Sequence, residues 1–451
     1  MSTDISINKG LDIKLKGAAK LKVEAAINSK YFAVIPSDFH GVIPKLILKE
    51  GASVKAGEAI FFSKSNEAIK FVAPVSGKII EILRGEKRKI LSIKIEADST
   101  QVFQDHGSID PSSASADEIK AKLLQSGCWP FLKQRPYDVI AGTSAEPKSI
   151  FISAHGTAPL AASNDIVLQG QEEFIQLALT ALSRLTKGSV HVGVSHSGSS
   201  IFDGMSNIVT HKIKGPHPSG NVGTLINKID PVNKGEVVWT LAPQDLIVIG
   251  KLLHTGHFDA TRVVALCGSS ISEPRYLSTK IGAELATILY DRGIEKSDHV
   301  RIIMGNVLTG KKSNPSGYVD FYNNSVTVIP EGDDYELFGW NKPVFDKISS
   351  TRALTFSWMF PNKEYDLNTN TNGEHRAFVV TGNYEAVFPL DIYPMQLLKA
   401  CMYKDLDEME ALGMYEVAPE DFALTEFVCV SKQPHQEIIR EGLDLMIKEI
   451  G

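Results

Sequence analysis

Residues 39–97 leave the chain little choice of fold. Short apolar runs (Gly41-Val-Ile-Pro-Lys-Leu-Ile-Leu48, Ala59-Ile-Phe-Phe62, Lys78-Ile-Ile-Glu-Ile-Leu83 and Ile90-Leu-Ser-Ile-Lys-Ile95) are cut apart by Glu50-Gly-Ala-Ser-Val-Lys-Ala-Gly57 and Ala73-Pro-Val-Ser-Gly77. Gly and Pro at these breaks supply turns, so the stretch predicts a small all-β unit. Residues 1–30 alternate polar with apolar side chains (Ile5, Ile7; Leu11, Ile13, Leu15; Leu21, Val23) and predict further short strands.

The character changes after a Gly/Ser/Ala/Asp-rich linker at 106–118. Helix-like segments at 117–126, 170–186 and 243–255 alternate with β-branched runs at Ile150–Ser153, Val190–Val194 and Ile208–Thr210. That alternation predicts an α/β domain with a partly parallel sheet. Taken alone, the run Leu246-Ile-Val-Ile249 reads as a buried strand. Residues 261–330 mix strands (Arg262–Cys267, Val300–Met304, Ser325–Ile329) with one helix, Ile281–Asp291, and residues 331–376 are irregular and aromatic-rich. Helical spacing of Leu397, Leu398, Met402, Leu406, Met409 and of Ile438, Ile439, Leu443, Met446, Ile447 predicts helices over 390–451. The expected organisation is a β domain at 1–105, an α/β domain at 106–258, an α+β module at 259–335, and an aromatic-rich connector with C-terminal helices at 336–451.

Composition narrows the function classes. Lys and Arg number 47 against 53 Asp and Glu, a formal charge of −6, which argues against nucleic acid as the main partner. The four cysteines, Cys128, Cys267, Cys401 and Cys429, form no CxxC and no cluster, which argues against a disulfide scaffold, a structural zinc site or a Cys-ligated cluster. The first nine residues do not read as a signal peptide, and no apolar run is long enough for a membrane helix, so any membrane link is expected to go through a partner.

The 39–97 unit resembles a lipoyl/biotinyl carrier domain. The modified lysine of such domains stands at a hairpin tip, and the corresponding position reads as Asn66, with Lys64 two residues away. A scaffold without a prosthetic group is expected. The α/β segment has neither GxGxxG nor GxxxxGK[ST]; the first strand–helix turn, Ala154-His-Gly-Thr-Ala-Pro-Leu160, has one glycine, too few to cradle a pyrophosphate. A Rossmann-like fold with no bound nucleotide is expected. Gly193-Val-Ser195-His-Ser197 is one glycine short of a nucleophile elbow, so a hydrolase acting through Ser195 is a remote reading. His254 and His257, like His211 and His217, lack the neighbours that would complete a metal set. The run Glu331–Glu336 reads as a solvated loop. Gly215-Pro-His-Pro-Ser-Gly-Asn-Val-Gly-Thr224 is the most unusual stretch: two prolines and three glycines fix an irregular path, suited to a binding crevice or a rigid brace.

With these motifs in view, the chain resembles the A subunit of the bacterial sodium-translocating NADH:quinone oxidoreductases. The resemblance rests on Lys9-Gly-Leu-Asp12, Ser126-Gly-Cys-Trp-Pro-Phe-Leu-Lys-Gln-Arg-Pro136, Ile150-Phe-Ile152 with Pro159-Leu-Ala161, and Gly215–Thr224. It continues through Trp239 with the 243–257 segment, Gly305-Asn-Val-Leu-Thr-Gly310, Val328-Ile-Pro-Glu-Gly332, Glu336-Leu-Phe-Gly-Trp340 and Pro389-Leu-Asp-Ile392. It implies a barrel-sandwich at the N-terminus, a Rossmann-like domain related to the flavin subunit of complex I and to the Rnf complex, a β-grasp soluble-ligand-binding module and C-terminal helices. Those relatives carry a Gly-rich flavin/NADH loop and C-terminal cysteine-ligated clusters; here only Cys401 and Cys429 stand in that region, 28 residues apart. The resemblance therefore implies a subunit without its own redox centre, in a complex that uses FAD, FMN, riboflavin, iron–sulfur centres and quinone on other subunits. It further implies a peripheral place on the cytoplasmic face of the inner membrane, against the membrane flavoprotein B subunit, with a role in assembly and at the quinone-reducing end. Expected quinone contacts are Gly215, Pro216, His217, Pro218, Gly220, Gly223 and Thr224; expected partner-docking residues are Phe338, Trp340, Phe356, Trp358 and Phe360. The alternative is a free-standing soluble ligand-binding protein.

Overall fold

The computed structural model describes residues 4–25, 28–290, 299–333, 336–338, 345, 347–349 and 354–451. The Gly/Pro-punctuated stretch folds as two small antiparallel sheets facing each other. One holds Tyr31–Val34, Ile90–Ala97, Gly77–Arg84 and Ser53–Val54; the other holds Pro44–Leu46, Ala59–Ser63 and Asn66–Val72. Period-two alternation turns Ile79, Ile93 and Ile95 inward to full burial, against Ile60, Phe61 and Phe71 from the facing sheet. Phe61 stacks on Phe71 at 4.5 Å between centroids. The strand Asn66–Val72 carries no apolar alternation at its start, so only part of it was legible.

The hairpin tip differs from the expected one. Ser63 pairs with Asn66, which puts the turn at Lys64-Ser65. Asn66 is thus the first strand residue, and its amide donates to Thr143 Oγ1 of the next domain at 2.8 Å. A lysine, Lys64, stands in the turn itself and is exposed.

The two strands ahead of this unit pair outside it. Asp4–Ser6 runs parallel to Val209–Lys214, and Lys20–Ala25 runs parallel to Arg275–Lys280. The N-terminal segment therefore laces three sheets together.

The largest sheet has seven strands in the spatial order Asp4–Ser6, Val209–Lys214, Val190–Ser195, Ile150–Ser153, Val238–Thr240, Lys133–Arg135, Val139–Ile140; the first five are parallel, and the last two pairings are antiparallel. Both faces are covered, as parallel sheets require. Phe151 points to the face of helix Val222–Ile229, packing with Leu225 and Ile226. Ile150 and Ile152 point to the face of Glu172–Arg184 and Asp245–Thr255. Glu172–Arg184 buries Ile175, Ala178, Leu179 and Leu182, the helical stripe its spacing predicts. Ala116–Gln125 opens on a capping box, with Ser115 N–H donating to Glu118 at 2.9 Å and Glu118 N–H to Ser115 Oγ at 3.3 Å; such a cap stabilises by about 1 kcal/mol.

Leu246–Ile249 is helical, not a strand. It lies inside Asp245–Thr255, which ends at a left-handed Gly256, and its residues are buried on every side. A run buried all round loses the polar stripe that distinguishes helix from strand.

The fourth sheet has six strands in the order Lys311–Ser313, Val300–Met304, Ser325–Pro330, Thr261–Cys267, Arg275–Lys280, Lys20–Ala25, with helix Leu285–Tyr290 beside it. The C-terminal region is helical, chiefly Pro394–Tyr403, Leu406–Ala411 and His435–Glu449, and buries Leu397, Leu398, Met409, Ile439, Leu443 and Met446 together. Among the described residues no helix is long and apolar enough to cross a membrane.

Candidate functional site

The 215–224 loop lies where the sheet order reverses, beyond the carboxyl end of Ile150–Ser153. Ligands of open α/β sheets collect in that crevice. Here the chain's own backbone fills it. Ser153 Oγ donates to the Gly220 carbonyl at 2.7 Å, and Gly220 N–H donates to Thr157 Oγ1 at 3.0 Å. A Cβ on Gly220 would stand 1.9 Å from the His155 carbonyl, so only glycine permits this approach.

The other residues of the loop are equally engaged. His217 is buried; its N–H donates to Asp12 at 2.9 Å, its Nδ1 sits 3.1 Å from Thr157 Oγ1, and its carbonyl accepts from Leu11 N–H. Burial lowers its pKa to about 4, so the ring is neutral at pH 7. Gly215 packs on the Ile7 carbonyl, with Pro216 against Gly10, and Thr224 Oγ1 donates to the Pro218 carbonyl at 2.9 Å. Gly223 fits beneath the Arg135–Asp421 ion pair. His217 Nδ1, the His217 N–H and the Gly220 N–H thus engage the N-terminal segment and the 154–160 turn. Through these contacts the 215–224 loop is tied to the N-terminal segment, the 154–160 turn and Asp421.

Arg135 continues the brace into the C-terminal helices. It is buried, and its guanidinium reaches Asp421 at 2.6 Å, Glu420 at 2.8 Å and the Glu416 carbonyl at 2.9 Å.

The remaining sequence candidates separate. Ser195 Oγ lies 3.0 Å from Ser197 Oγ, with no imidazole in hydrogen-bond reach among the described residues. His211 meets His191 at 2.9 Å, His254 packs edge-on to Phe174, and His257 stacks on Phe103. Among the described residues no group of three or more His, Cys, Asp or Glu is placed to hold a metal ion. Glu331 is not simply solvated: Arg301 holds it at 2.6 Å and Thr369 at 2.6 Å, bringing its pKa down to about 2. All four cysteines are buried free thiols, and burial pushes Cys128 and Cys401 up to about 12.

Of the aromatic docking residues, Phe338, Trp358 and Phe360 are exposed, Trp358 by 63%, together with Leu337, Phe345 and Met359. Trp340 and the Phe356 side chain lie outside the described residues.

A cleft that sequence reading missed lies where the three domains meet. Phe39 and Phe71 of the first domain, Gly127 and Phe258 of the second, and Ile281, Val319 and Phe321 of the third line a narrow cleft, partly open to solvent, with enclosed space of only about 20 Å3. Phe39 lies 4.4 Å from Phe71 and 4.8 Å from Phe321, and Phe131 stacks on Phe321 at 4.4 Å. Gly127 has φ +74, and a Cβ there would strike Val72 at 2.5 Å, so the domains close on each other only over a glycine. One lining side chain is ionisable: Asp38, at the end of the short helical turn Pro36–Asp38. Its Oδ2 accepts from Phe321 N–H at 3.2 Å. Burial, then the nearby Asp320 carboxylate, raises its pKa to about 7, against the pull of Lys311 and the Phe321 amide. Asp38 and Phe321 stand 283 residues apart, and no spacing rule joins them.

Three family models match the chain: an NqrA N-terminal barrel-sandwich hybrid domain over residues 5–98, an NqrA second alpha/beta domain over 114–258, and an NQRA C-terminal domain over 263–314. Among curated proteins, the A subunit of the Na(+)-translocating NADH-quinone reductase of Neisseria meningitidis serogroup B is 38% identical over 448 residues, covering 99% of this chain and 100% of that protein. The corresponding A subunits of Rhodopirellula baltica (35%, covering 98% of each chain) and Yersinia pestis bv. Antiqua (37%, covering 99% of this chain and 100% of that protein) match over a similar span. Two solved structures of NAD+-reducing [NiFe]-hydrogenase match about half the chain at 11% and 10% identity with TM-scores of 0.34 and 0.37, too slight a likeness to bear on function.

Proposed function

The chain belongs to the family of A subunits of the Na(+)-translocating NADH-quinone reductases, and from that membership we propose that it works as a peripheral subunit of such a redox pump, which oxidises NADH, reduces quinone and exports Na+. The observation that carries this reading is the likeness along the whole chain, 38% identity over 448 residues, rather than at one motif. The chain sits at the cytoplasmic face, and its exposed Leu337, Phe338, Phe345, Trp358, Met359 and Phe360 dock on the membrane flavoprotein, the B subunit; aromatic side chains bring large contact area at low entropic cost. FAD, FMN, riboflavin and the iron–sulfur centres reside on other subunits.

This subunit serves the quinone-reducing end. The 215–224 loop holds the domains in register, and Gly215, Pro216, His217, Pro218, Gly220, Gly223 and Thr224 are the residues we assign to quinone contact. The seven-stranded sheet is Rossmann-like and the 261–330 module β-grasp-like in this reading; the parallel order of the first and the mixed sheet of the second support it. Extracting native membranes with mild detergent and capturing this chain tests the proposal. Co-purification with membrane subunits that carry flavin is expected. Recovery of the chain alone would favour the free-standing ligand-binding alternative.

A further inference from the structure

The aromatic docking segment has a polar socket at its base. Ser357, the residue before Trp358, is only 4% exposed, and its hydroxyl has no hydrogen-bond partner among the described residues. Buried polar groups are nearly always paired, so a hydroxyl left alone marks a place that lacks an acceptor. Ser357 opens on a small cavity that it shares chiefly with Asp12, Lys14, Phe360, Lys363 and Tyr365. The enclosed space is about 10 Å3, room for one water-sized atom and nothing larger.

Backbone pairing brings two cations to this socket. Tyr365 N–H donates to the Lys14 carbonyl at 2.9 Å and Lys16 N–H to the Tyr365 carbonyl at 3.0 Å, so the N-terminal segment runs beside 363–366. Lys14 Nζ donates to Asn362 Oδ1 at 3.0 Å, and Lys363 Nζ donates to the Phe345 carbonyl. An ammonium has three donors, so each keeps two for another acceptor. Among the described residues neither lysine is ion-paired, and Asp12 accepts from the His217 N–H at 2.9 Å instead. The wider rim is balanced: Lys14, Lys16 and Lys363 stand against Asp12, Glu364 and Asp366. A bilayer of anionic lipid selects a surplus of positive charge, which this rim lacks. A single oxygen that two cations and a hydroxyl can share fits it better, carried by a group with apolar neighbours, since Trp358, Met359 and Phe360 are exposed beside it.

We propose that this socket receives a carboxylate side chain of the membrane subunit on which the aromatic segment docks. One carboxylate oxygen takes the enclosed space and accepts from Ser357 Oγ and from the remaining donors of Lys14 and Lys363. Apolar residues around that carboxylate cover Trp358 and Phe360. This rests on the docking reading above and adds the chemistry of the partner, an acidic residue set in an apolar surface. Charge-assisted bonds of this kind fix the register of an interface.

The test is rebinding of the purified full chain to membranes from cells that lack it, followed by sedimentation. The wild type is expected to bind, and Lys14→Gln with Lys363→Gln should weaken binding about tenfold or more. Ser357→Ala should weaken it about fivefold. Lys14→Arg with Lys363→Arg keeps the charge and should bind nearly as the wild type does; binding as weak as that of the glutamine pair would remove charge as the cause. Membranes whose carboxyl groups are blocked with a carbodiimide and glycine methyl ester should bind the wild type no better than untreated membranes bind the glutamine pair. Wild-type strength in the glutamine pair or in Ser357→Ala, or full wild-type binding to blocked membranes, overturns the socket; loss of binding in Trp358→Ala alone would then leave the docking surface in place. Equally strong wild-type binding to protein-free vesicles of phosphatidylglycerol and phosphatidylcholine would make the occupant a lipid phosphate and overturn it as well. Failure of the wild type to rebind refutes the docking reading and the inference with it.

Discussion

Replacing Arg135 by Met removes the cation that joins the seven-stranded sheet to the C-terminal helices while keeping most of the side-chain volume. Arg135 and Asp421 are 2% and 0% exposed and meet at 2.6 Å; Glu420, 40% exposed, adds a second contact at 2.8 Å. The cost falls unequally. Glu420 can turn to water, but Asp421 cannot, and its Oδ1 already has no partner while Oδ2 keeps only the Ala418 N–H. Stranding a buried charge in this way costs about 3–5 kcal/mol. Losing the bond to the Glu416 carbonyl adds about 1 kcal/mol.

Local opening of the 416–427 segment should therefore become about three to four orders of magnitude more frequent. Amide hydrogen exchange resolved by peptide reads this directly. Exchange in 416–427 should accelerate in Arg135→Met, while the helix Ala116–Gln125, remote from the pair, stays unchanged. Combining Arg135→Met with Asp421→Asn should recover part of the loss, because the stranded charge is gone; a coupling energy of about 2 kcal/mol is expected from the double-mutant cycle. Exchange in Arg135→Met within a factor of three of wild type, or strictly additive single mutants, would refute the reasoning.

Other outcomes follow from the same structure. Gly220→Ala should lower the melting temperature by several degrees because its Cβ meets the His155 carbonyl, whereas Gly373→Ala, with only Lys432 carbons at 3.4 Å or beyond, should leave it within a degree or so. Trp358→Ala should weaken retention in the membrane complex more than it lowers the melting temperature of the isolated chain; the reverse order would make Trp358 a packing residue. Asp38 binds its proton more tightly folded than unfolded, so its contribution is complete below about pH 4 and lost as pH rises toward 7; the melting temperature of Asp38→Asn should gain on wild type across that window. Glu331 runs the other way: its contribution is present above about pH 4.5 and lost as pH falls toward 2, so the penalty of Glu331→Gln should vanish in acid. A thiol reagent should find few reactive groups in the native chain and all 4 cysteines after denaturation, since each is buried.

Much of the architecture was legible wherever one face of an element is solvated. The barrel strands and the Glu172–Arg184 helix declared themselves by period, and Gly/Pro marked the breaks. Leu246–Ile249 misled because burial on every side erases periodicity. The hairpin tip was misplaced by two residues because Ser63, Lys64, Ser65 and Asn66 are all compatible with a turn, and pairing alone selects Lys64-Ser65. The 215–224 loop announced a fixed path through its Pro and Gly residues, but not what the path is fixed to; the partners Asp12, Thr157 and Asp421 come from distant parts of the chain. The junction pocket was invisible for the same reason. No motif links Phe39, Gly127, Phe258 and Phe321 in sequence, and only the closure of three domains brings them to one wall.

The central claim is that this chain enables quinone reduction by a membrane complex while the electrons travel through other subunits. The most direct measurement is NADH-driven quinone reduction, with and without Na+, in membranes from cells that lack this chain, before and after adding the purified protein back. The account predicts that Na+-stimulated quinone reduction is lost in the depleted membranes and restored by a preparation of the chain that contains no flavin or iron. Unchanged activity in the depleted membranes, or restoration only by chain carrying its own flavin or iron–sulfur centre, would contradict it.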